Sequence, residues 1–369
     1  MSKFDSIRPY DDSEVSLVLS RLVKDRDLQH LLISSSPILS KLSNFPFINL
    51  VAGQLLKYRA KKIKTIKDYQ DIFKNIIDEV IANTINNFKV EGLDFIDKNK
   101  SYLFISNHRD ITLDSALLNY SLHKNNIKTT NNAVGNNLLE ESWASDLMRL
   151  NKSFIIDRSG KSKRAIYDSL NISSAFIQDR ILDKNESIWI AQRQGRAKDG
   201  IDVTDPSVLK MIHLKSRKSN TIAESLNSLS VVPVAISYEY DPNDILKAKE
   251  VFANTNGIQH TKAKGEDLGS ISNGITQDKG DVFLSIGEQI HFEGDSYSDC
   301  ATKITESINS LYKNHPTNHV ADILLNNRKV TANDIDEHYL NAYTYLQNKM
   351  SYIPEEMHET FLRQYSNSL

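Results

Sequence analysis

The chain of 369 residues holds a single cysteine, Cys300. An internal disulfide is excluded, as is a metal site built from several thiolates, and the reducing cytosol is the compartment that suits such a composition. Net charge is equally scarce. With 45 Lys and Arg against 47 Asp and Glu, the formal charge is −2, so the molecule offers no overall basic field to a nucleic acid. Anions must be held by local clusters. No apolar run reaches the roughly 18 residues of a membrane-spanning helix. The segment Met1–Asp27 is polar and charged and lacks the apolar stretch of a secretory signal. Internal repeats and low-complexity tracts are absent. What remains is an ordinary globular profile, 40% hydrophobic and 25% charged, long enough for one large domain with a helical accessory region or for two medium domains.

Hydrophobic spacing organises the chain. Val15, Leu17, Val18, Leu22 and Val23 recur at helical intervals. The stretch Leu31–Leu56 is the most apolar of the N-terminal region, and Pro37 and Pro46 divide it into two short helices. Lys57, Arg59, Lys61, Lys62 and Lys64 follow directly. An apolar segment beside a basic one suits the interface of an anionic membrane; a helical hairpin with a solvated charged edge has the same pattern. Thr65–Phe88 reads as an amphipathic helix.

Beyond it, short apolar runs bounded by polar turns predict strands at Gly92–Phe95, Tyr102–Ile105, Lys128–Val134, Ser153–Ile156, Ser187–Ala191, Val231–Tyr238 and Val282–Ile286, the last extending towards Phe292. Helices are expected at Asp114–Leu122, Leu138–Arg149, Lys163–Ile181, Pro206–Leu229, Asp244–Ala253 and Ser296–Lys313, with one or two more in Ala332–Leu369. The remainder of Tyr240–Gly280 reads as a polar loop. This alternation predicts an α/β fold, a mixed and mostly parallel sheet covered by helices, with an N-terminal helical region and C-terminal helices. The expected domains are 1–90, helical and in contact with a membrane interface; 91–330, catalytic; and 331–369, a helical extension.

The most informative segment is Ile105-Ser-Asn-His-Arg-Asp-Ile-Thr-Leu-Asp114-Ser-Ala-Leu-Leu. A histidine exposed where a strand ends is placed to meet a ligand. A carboxylate that accepts the proton of one ring nitrogen fixes the tautomer and leaves the other nitrogen free to take a proton. On spacing alone, Asp114 is equally a helix N-cap and His108 an ordinary loop histidine.

The segment resembles the first motif of the glycerolipid acyltransferase family, which includes glycerol-3-phosphate and lysophosphatidate acyltransferases. That motif is Asn-His followed by Asp, usually after four intervening residues; here five separate His108 from Asp114. The sequence is consistent with a loop one residue longer. Asp110 is the alternative partner. Three later segments resemble the remaining motifs in order. Ser153-Phe-Ile-Ile-Asp157-Arg158 is similar to the second. Ile188-Trp-Ile-Ala-Gln192-Arg193-Gln194-Gly195-Arg196-Ala197-Lys198 is similar to the third, with Gln194 where the family carries Glu. Val232-Pro233-Val234-Ala235-Ile236 is similar to the fourth.

The resemblance implies an O-acyltransferase that moves a fatty acyl group from a coenzyme A or acyl carrier protein thioester to a hydroxyl of a phosphorylated glycerol or lysophospholipid. His108 would be the general base, oriented by Asp114. Substrate binding falls to Asn107, Arg158, Arg193, Gln194, Gly195, Arg196 and Lys198. The cations lie just past strand ends, which converge on one crevice in an open α/β sheet, and a phosphomonoester favours arginine forks. Gly195 allows close backbone approach. The thioester is a co-substrate, and no cofactor or metal is expected. His315 and His319 have the spacing of a metal pair, but no Glu lies between them and Pro316 is read as a helix breaker. No Gly-x-Ser-x-Gly elbow supplies a nucleophile. The expected location is cytoplasmic, peripheral to the membrane. A non-catalytic phospholipid-binding protein on the same fold is the alternative that Gln194 and the longer loop favour.

Overall fold

The computed structural model describes residues 3–29, 54, 57–136, 141–258, 261, 265–327 and 329–369. The two short helices expected around Pro37 and Pro46 lie outside these residues, as does the expected helix start at Leu138. In chain order the first elements are α1 (Asp12–Leu22), α2 (Ile66–Thr84), β1 (Asn87–Glu91), β2 (Leu103–Ser106), α3 (Leu113–Lys124), β3 (Asn131–Gly135), α4 (Ser142–Leu150), β4 (Ser153–Ile156) and α5 (Lys163–Gln178). There follow β5 (Ile188–Ala191), α6 (Pro206–His213), α7 (Ile222–Ser228), β6 (Val231–Tyr238), α8 (Asp244–Thr255), α9 (Glu266–Thr276) and β7 (Asp281–Ile286). The C-terminal helices are α10 (Tyr297–Leu311), α11 (Pro316–Asn326), α12 (Leu340–Met350) and α13 (His358–Ser366). The fold is α/β, and its sheet strands are mixed and mostly parallel.

The chain forms two compact units, Met1–Ile76 with Asn131–Phe176, and Ile77–Thr130 with Ile177–Leu369. In the first unit, α1 starts at a capping box: Asp11 accepts the Ser13 N–H, and Glu14 returns to the Asp11 N–H. Its Val15, Val18, Leu19 and Leu22 are buried. β3 and β4 pair in parallel with Ala133 opposite Phe154. Phe154 and Phe4 both pack on Phe176, with ring centroids 4.8 and 5.4 Å away. Asp146 of α4 accepts hydrogen bonds from Arg21 and Tyr10, tying α4 to the N-terminal segment.

The second unit carries a sheet ordered β1-β7-β6-β2-β5. β2 runs parallel to both β5 and β6, whereas β6 and β7 are antiparallel. Its central strands are buried along their whole length, β2 as Leu-Phe-Ile-Ser and β6 as Val-Val-Pro-Val-Ala-Ile-Ser-Tyr. Continuous apolar runs of this kind belong to strands covered on both faces. Phe104 alone, 1% exposed, contributes about 2–3 kcal/mol by burial. Because β2, β5 and β6 run the same way, Ser106, Ala191 and Tyr238 all sit at one edge. α11, α12 and α13 share a separate apolar core with α8, including Val320, Leu324, Leu346, Phe361 and Tyr365.

Several expectations change. Gly92 adopts φ +78° and ends β1, so Leu93–Phe95 forms a 3₁₀ turn and not a strand. The single helix expected over Pro206–Leu229 is two, because Thr221 and Glu224 form a fresh capping box. Pro316 starts α11 at its first turn, where the missing N–H does no harm, and does not break a helix. The loop expected before Gly280 contains α9. β7 ends at Ile286 without continuing to Phe292.

Candidate functional site

β2 delivers His108 to the sheet edge. The Ser106 carbonyl accepts the Gln192 N–H at 2.8 Å, which holds β2 on β5 to the last residue. The chain then leaves regular structure, and the His108 carbonyl accepts the Ala197 N–H at 2.7 Å. The edge of the imidazole meets Trp189 at 6.0 Å between centroids and 75° between planes. Trp189 is itself fixed by donating its indole N–H to Ser106 Oγ at 3.0 Å.

The imidazole Nδ1 lies 2.8 Å from Asp114 Oδ2. That oxygen also accepts the backbone N–H groups of Arg109 (2.7 Å) and Asp110 (3.0 Å), while Oδ1 accepts the Tyr238 hydroxyl at 2.9 Å. Burial, with the charge of Asp114 adding to it, raises the Tyr238 phenol well above its ordinary value, so it remains a donor. A carboxylate can only accept; Nδ1 therefore carries the proton of the neutral ring and Nε2 presents a lone pair. The His108 side chain is 15% exposed and that of Asp114 1%.

The extra residue between His108 and Asp114 is taken up in a turn. Asp110 Oδ1 accepts the N–H groups of Thr112 and Leu113, each at 2.9 Å, and Asp114 is the second residue of α3. Asp110 thus satisfies the helix start, a task the sequence allotted to Asp114, and its other oxygen is buried without a partner among the described residues. Burial, then the charge of Asp114, raises its carboxyl above the ordinary range. Gly274 of α9 covers it so closely that a Cβ there would stand 2.6 Å from Asp110 Oδ2.

The other sequence-derived site residues divide sharply. Asn107 is fully buried; its amide donates to Asp202 (3.0 Å) and to the Ile236 carbonyl (2.9 Å) and accepts the Ile236 N–H (2.9 Å). No face is left for a ligand, so the substrate contact expected of Asn107 is corrected to a bolt between β2 and β6. Arg193 faces Asp199 at 3.6 Å. Lys198 is paired with Glu250 of α8. Arg196 reaches Ser270 Oγ at 3.4 Å with one terminal nitrogen, and its other terminal nitrogen, Nη1, is buried without a partner among the described residues. Gln194 and Gly195 are exposed at the tip of the same loop; Gly195 has φ +77° and open space where a side chain would be. Arg158 belongs to the first unit, where the preceding Asp157 accepts from Ser159 and Asn136.

Sequence reasoning missed Arg109, Asp202, Tyr238 and Lys247. Arg109 is buried and forks onto Asp202, while Lys247, also buried, donates to the Arg109 carbonyl at 2.7 Å and to Asp241. Tyr238 was the one within reach: it ends the fourth-motif strand at the edge where His108 emerges. Among the described residues, no three His, Cys, Asp or Glu side chains gather as a metal-binding group. His315 bonds to Ser237, and His319 packs on Tyr339.

Residues 87–237 match the family model described as Acyltransferase. Among solved structures, the chain is similar to the 1-acyl-sn-glycerophosphate (LPA) acyltransferase PlsC of Thermotoga maritima, at 14% identity and a TM-score of 0.38, over 80% of this chain and 92% of that one. It is also similar to the signal recognition particle receptor FtsY of Elizabethkingia anophelis, in complex with GDP, at 14% identity and a TM-score of 0.23, over 82% and 93%. Overlaps this loose, shared by such different proteins, carry no weight for function. No curated protein matches the chain.

Proposed function

We propose that the chain, whose residues 87–237 match the Acyltransferase family model, transfers a fatty acyl group from an acyl thioester to a hydroxyl of a phosphorylated glycerol or lysophospholipid. The observation that carries this reading is the His108–Asp114 pair, 2.8 Å apart, with Nε2 of the ring left as a base. The acceptor hydroxyl gives its proton to Nε2 as its oxygen attacks the thioester carbonyl. The C–S bond breaks, and the departing sulfur takes the proton back from the imidazolium, whose charge Asp114 stabilises. The steps balance without a resident cofactor, the thioester of coenzyme A or acyl carrier protein being a co-substrate.

Arg196 supports a phosphorylated acceptor. Among the described residues its buried Nη1 has no partner, and a phosphate oxygen would supply one. Arg193 and Lys198 already have carboxylate partners, which leaves Arg196 as the main anion-seeking group of the loop. Holding the acceptor by its phosphate converts the attack into a positioned step, which is where much of the rate would arise. Among the described residues no helix is long and apolar enough to cross a membrane. We place the reaction at the cytoplasmic membrane surface, where an amphiphilic acceptor is found.

A thiol-release assay over coenzyme A and carrier-protein donors, with glycerol 3-phosphate, lysophosphatidate and their dephosphorylated counterparts, tests the proposal. Release that requires a phosphorylated acceptor supports it. Acceptor binding with no release from any donor replaces it with the binding-only reading, which Gln194, standing where the family carries an acid, favours.

A further inference from the structure

We infer that Asp202 is the positioning residue of this site, a buried carboxylate that grips both chain neighbours of His108 and thereby sets the imidazole against Asp114. The inference rests on His108 being the base. Residues 107–110 have no helix or strand of their own, so their side chains decide where the loop sits. Asp202 Oδ2 accepts Asn107 Nδ2 at 3.0 Å, Arg109 Nε at 3.1 Å and Arg109 Nη2 at 2.6 Å. Its side chain is 4% exposed and that of Arg109 8%. A fork of this kind, out of water, fixes direction as well as distance.

The grip matters because of what Arg109 does with its backbone. Its N–H donates to the same Asp114 oxygen that holds His108 Nδ1, so a displaced Arg109 pulls on the acceptor of the catalytic ring. The opposite end of the grip is also informative. Asp202 lies in the segment that begins at Arg196 and sends the Ala197 N–H to the His108 carbonyl, and Arg109 returns to it through the Gly200 carbonyl at 3.1 Å. One short segment therefore carries the anion-seeking Arg196 and holds the base from both sides. Asp202 keeps the two in register.

Because activity depends on the proposed reaction, the decisive readout is nitrogen NMR of the His108 ring in the full-length protein, assigned by its loss in His108→Gln. The neutral wild-type ring is expected as the Nδ1–H tautomer. Asp202→Asn can keep an oxygen towards the three N–H groups but removes the charge that binds the Arg109 fork, so the grip loosens and the Nε2–H tautomer should appear as a second population. In acyl transfer, kcat should fall on the order of 10- to 100-fold with KM little changed, the signature of misplacement. Asp205→Asn is the control: Asp205 caps α6 through the Ser207 N–H and stands outside the grip, so it should move neither quantity. If Asp202→Asn does not fold, Arg109→Gln with Asp202→Asn removes both buried charges and should give the same mixed tautomers. A pure Nδ1–H ring in either variant overturns the inference, as does an equal change in Asp205→Asn. A wild-type protein without acyl transfer would refute the proposed reaction while leaving the tautomer result readable.

Discussion

Replacing Asp114 separates its two tasks. Its Oδ2 accepts three N–H groups, from the His108 ring and the backbone of Arg109 and Asp110, and its Oδ1 accepts the Tyr238 hydroxyl. In Asp114→Asn the amide oxygen can take the Oδ2 position and keep the ring tautomer, while Tyr238 rotates its hydroxyl to accept from the new N–H₂. Only the charge that stabilises the imidazolium is lost. A hydrogen bond to a charged group is worth about 1.5–3 kcal/mol; at about 1.4 kcal/mol per decade, kcat should drop roughly 10- to 150-fold. Stability should change little. Asp114→Ala does more, since it strands the ring N–H, two buried backbone donors and a buried phenol. At about 1–3 kcal/mol per stranded buried donor, unfolding should become easier by about 3 kcal/mol or more, and activity should fall below that of the Asn variant. Thiol release gives the rates, and urea unfolding gives the stabilities. If the Asn variant is as unstable as the Ala variant, or the Ala variant keeps wild-type turnover, the proposed division of labour is wrong.

Three further outcomes are expected. Arg196→Gln should raise KM for a phosphorylated acceptor about 10-fold or more and leave an uncharged alcohol unaffected; Arg193→Gln should act more weakly, because Arg193 already faces Asp199. Burial holds the His315 imidazole at about 4, below the usual His range. The folded protein then binds fewer protons than the unfolded chain between about pH 6.5 and 4, so stability falls as pH drops through that window, by up to about 3 kcal/mol. Denaturant titrations should show that component flattened in His315→Gln. Gly274→Ala gains about 1 kcal/mol of helix propensity, yet its Cβ would stand 2.6 Å from an Asp110 oxygen whose partner oxygen is tied to two N–H groups. Overpacking costs about 1–3 kcal/mol, so the melting temperature should fall, and a rise would show that α9 sits less tightly on the loop.

Where local signals were strong, the chain could be read directly. β4 and β6 occupy the spans that their apolar runs outline, since buried strands bounded by polar turns leave few alternatives. α9 was hidden because Glu266–Thr276 contains Gly269 and Gly274 and lacks a clean apolar stripe; Gly274 is there because Asp110 leaves no room for a Cβ. Pro316 misled because the same residue that disrupts a helix interior suits its first turn. At the site, His108 and Asp114 were legible because one loop carries both. Asp202 and Lys247 were not, because each reaches the loop from a distant part of the chain and no spacing rule links them to it; Tyr238 is signalled only by its place at the end of β6. Asn107 shows the converse: its place in a motif suggested substrate, but an amide with its donors and acceptor all bonded to protein is a structural fastener.

The central claim is that His108 removes the proton from the acceptor hydroxyl, and acylation of the acceptor by purified His108→Ala tests it most directly. Without the ring, Asp114 still accepts the N–H groups of Arg109 and Asp110 and the Tyr238 hydroxyl, so the variant should fold like the parent. Acylated product, followed by mass spectrometry at saturating donor and acceptor, should fall to background while thermal unfolding stays near that of the wild type. A folded His108→Ala protein that acylates its acceptor at the parental rate would contradict it.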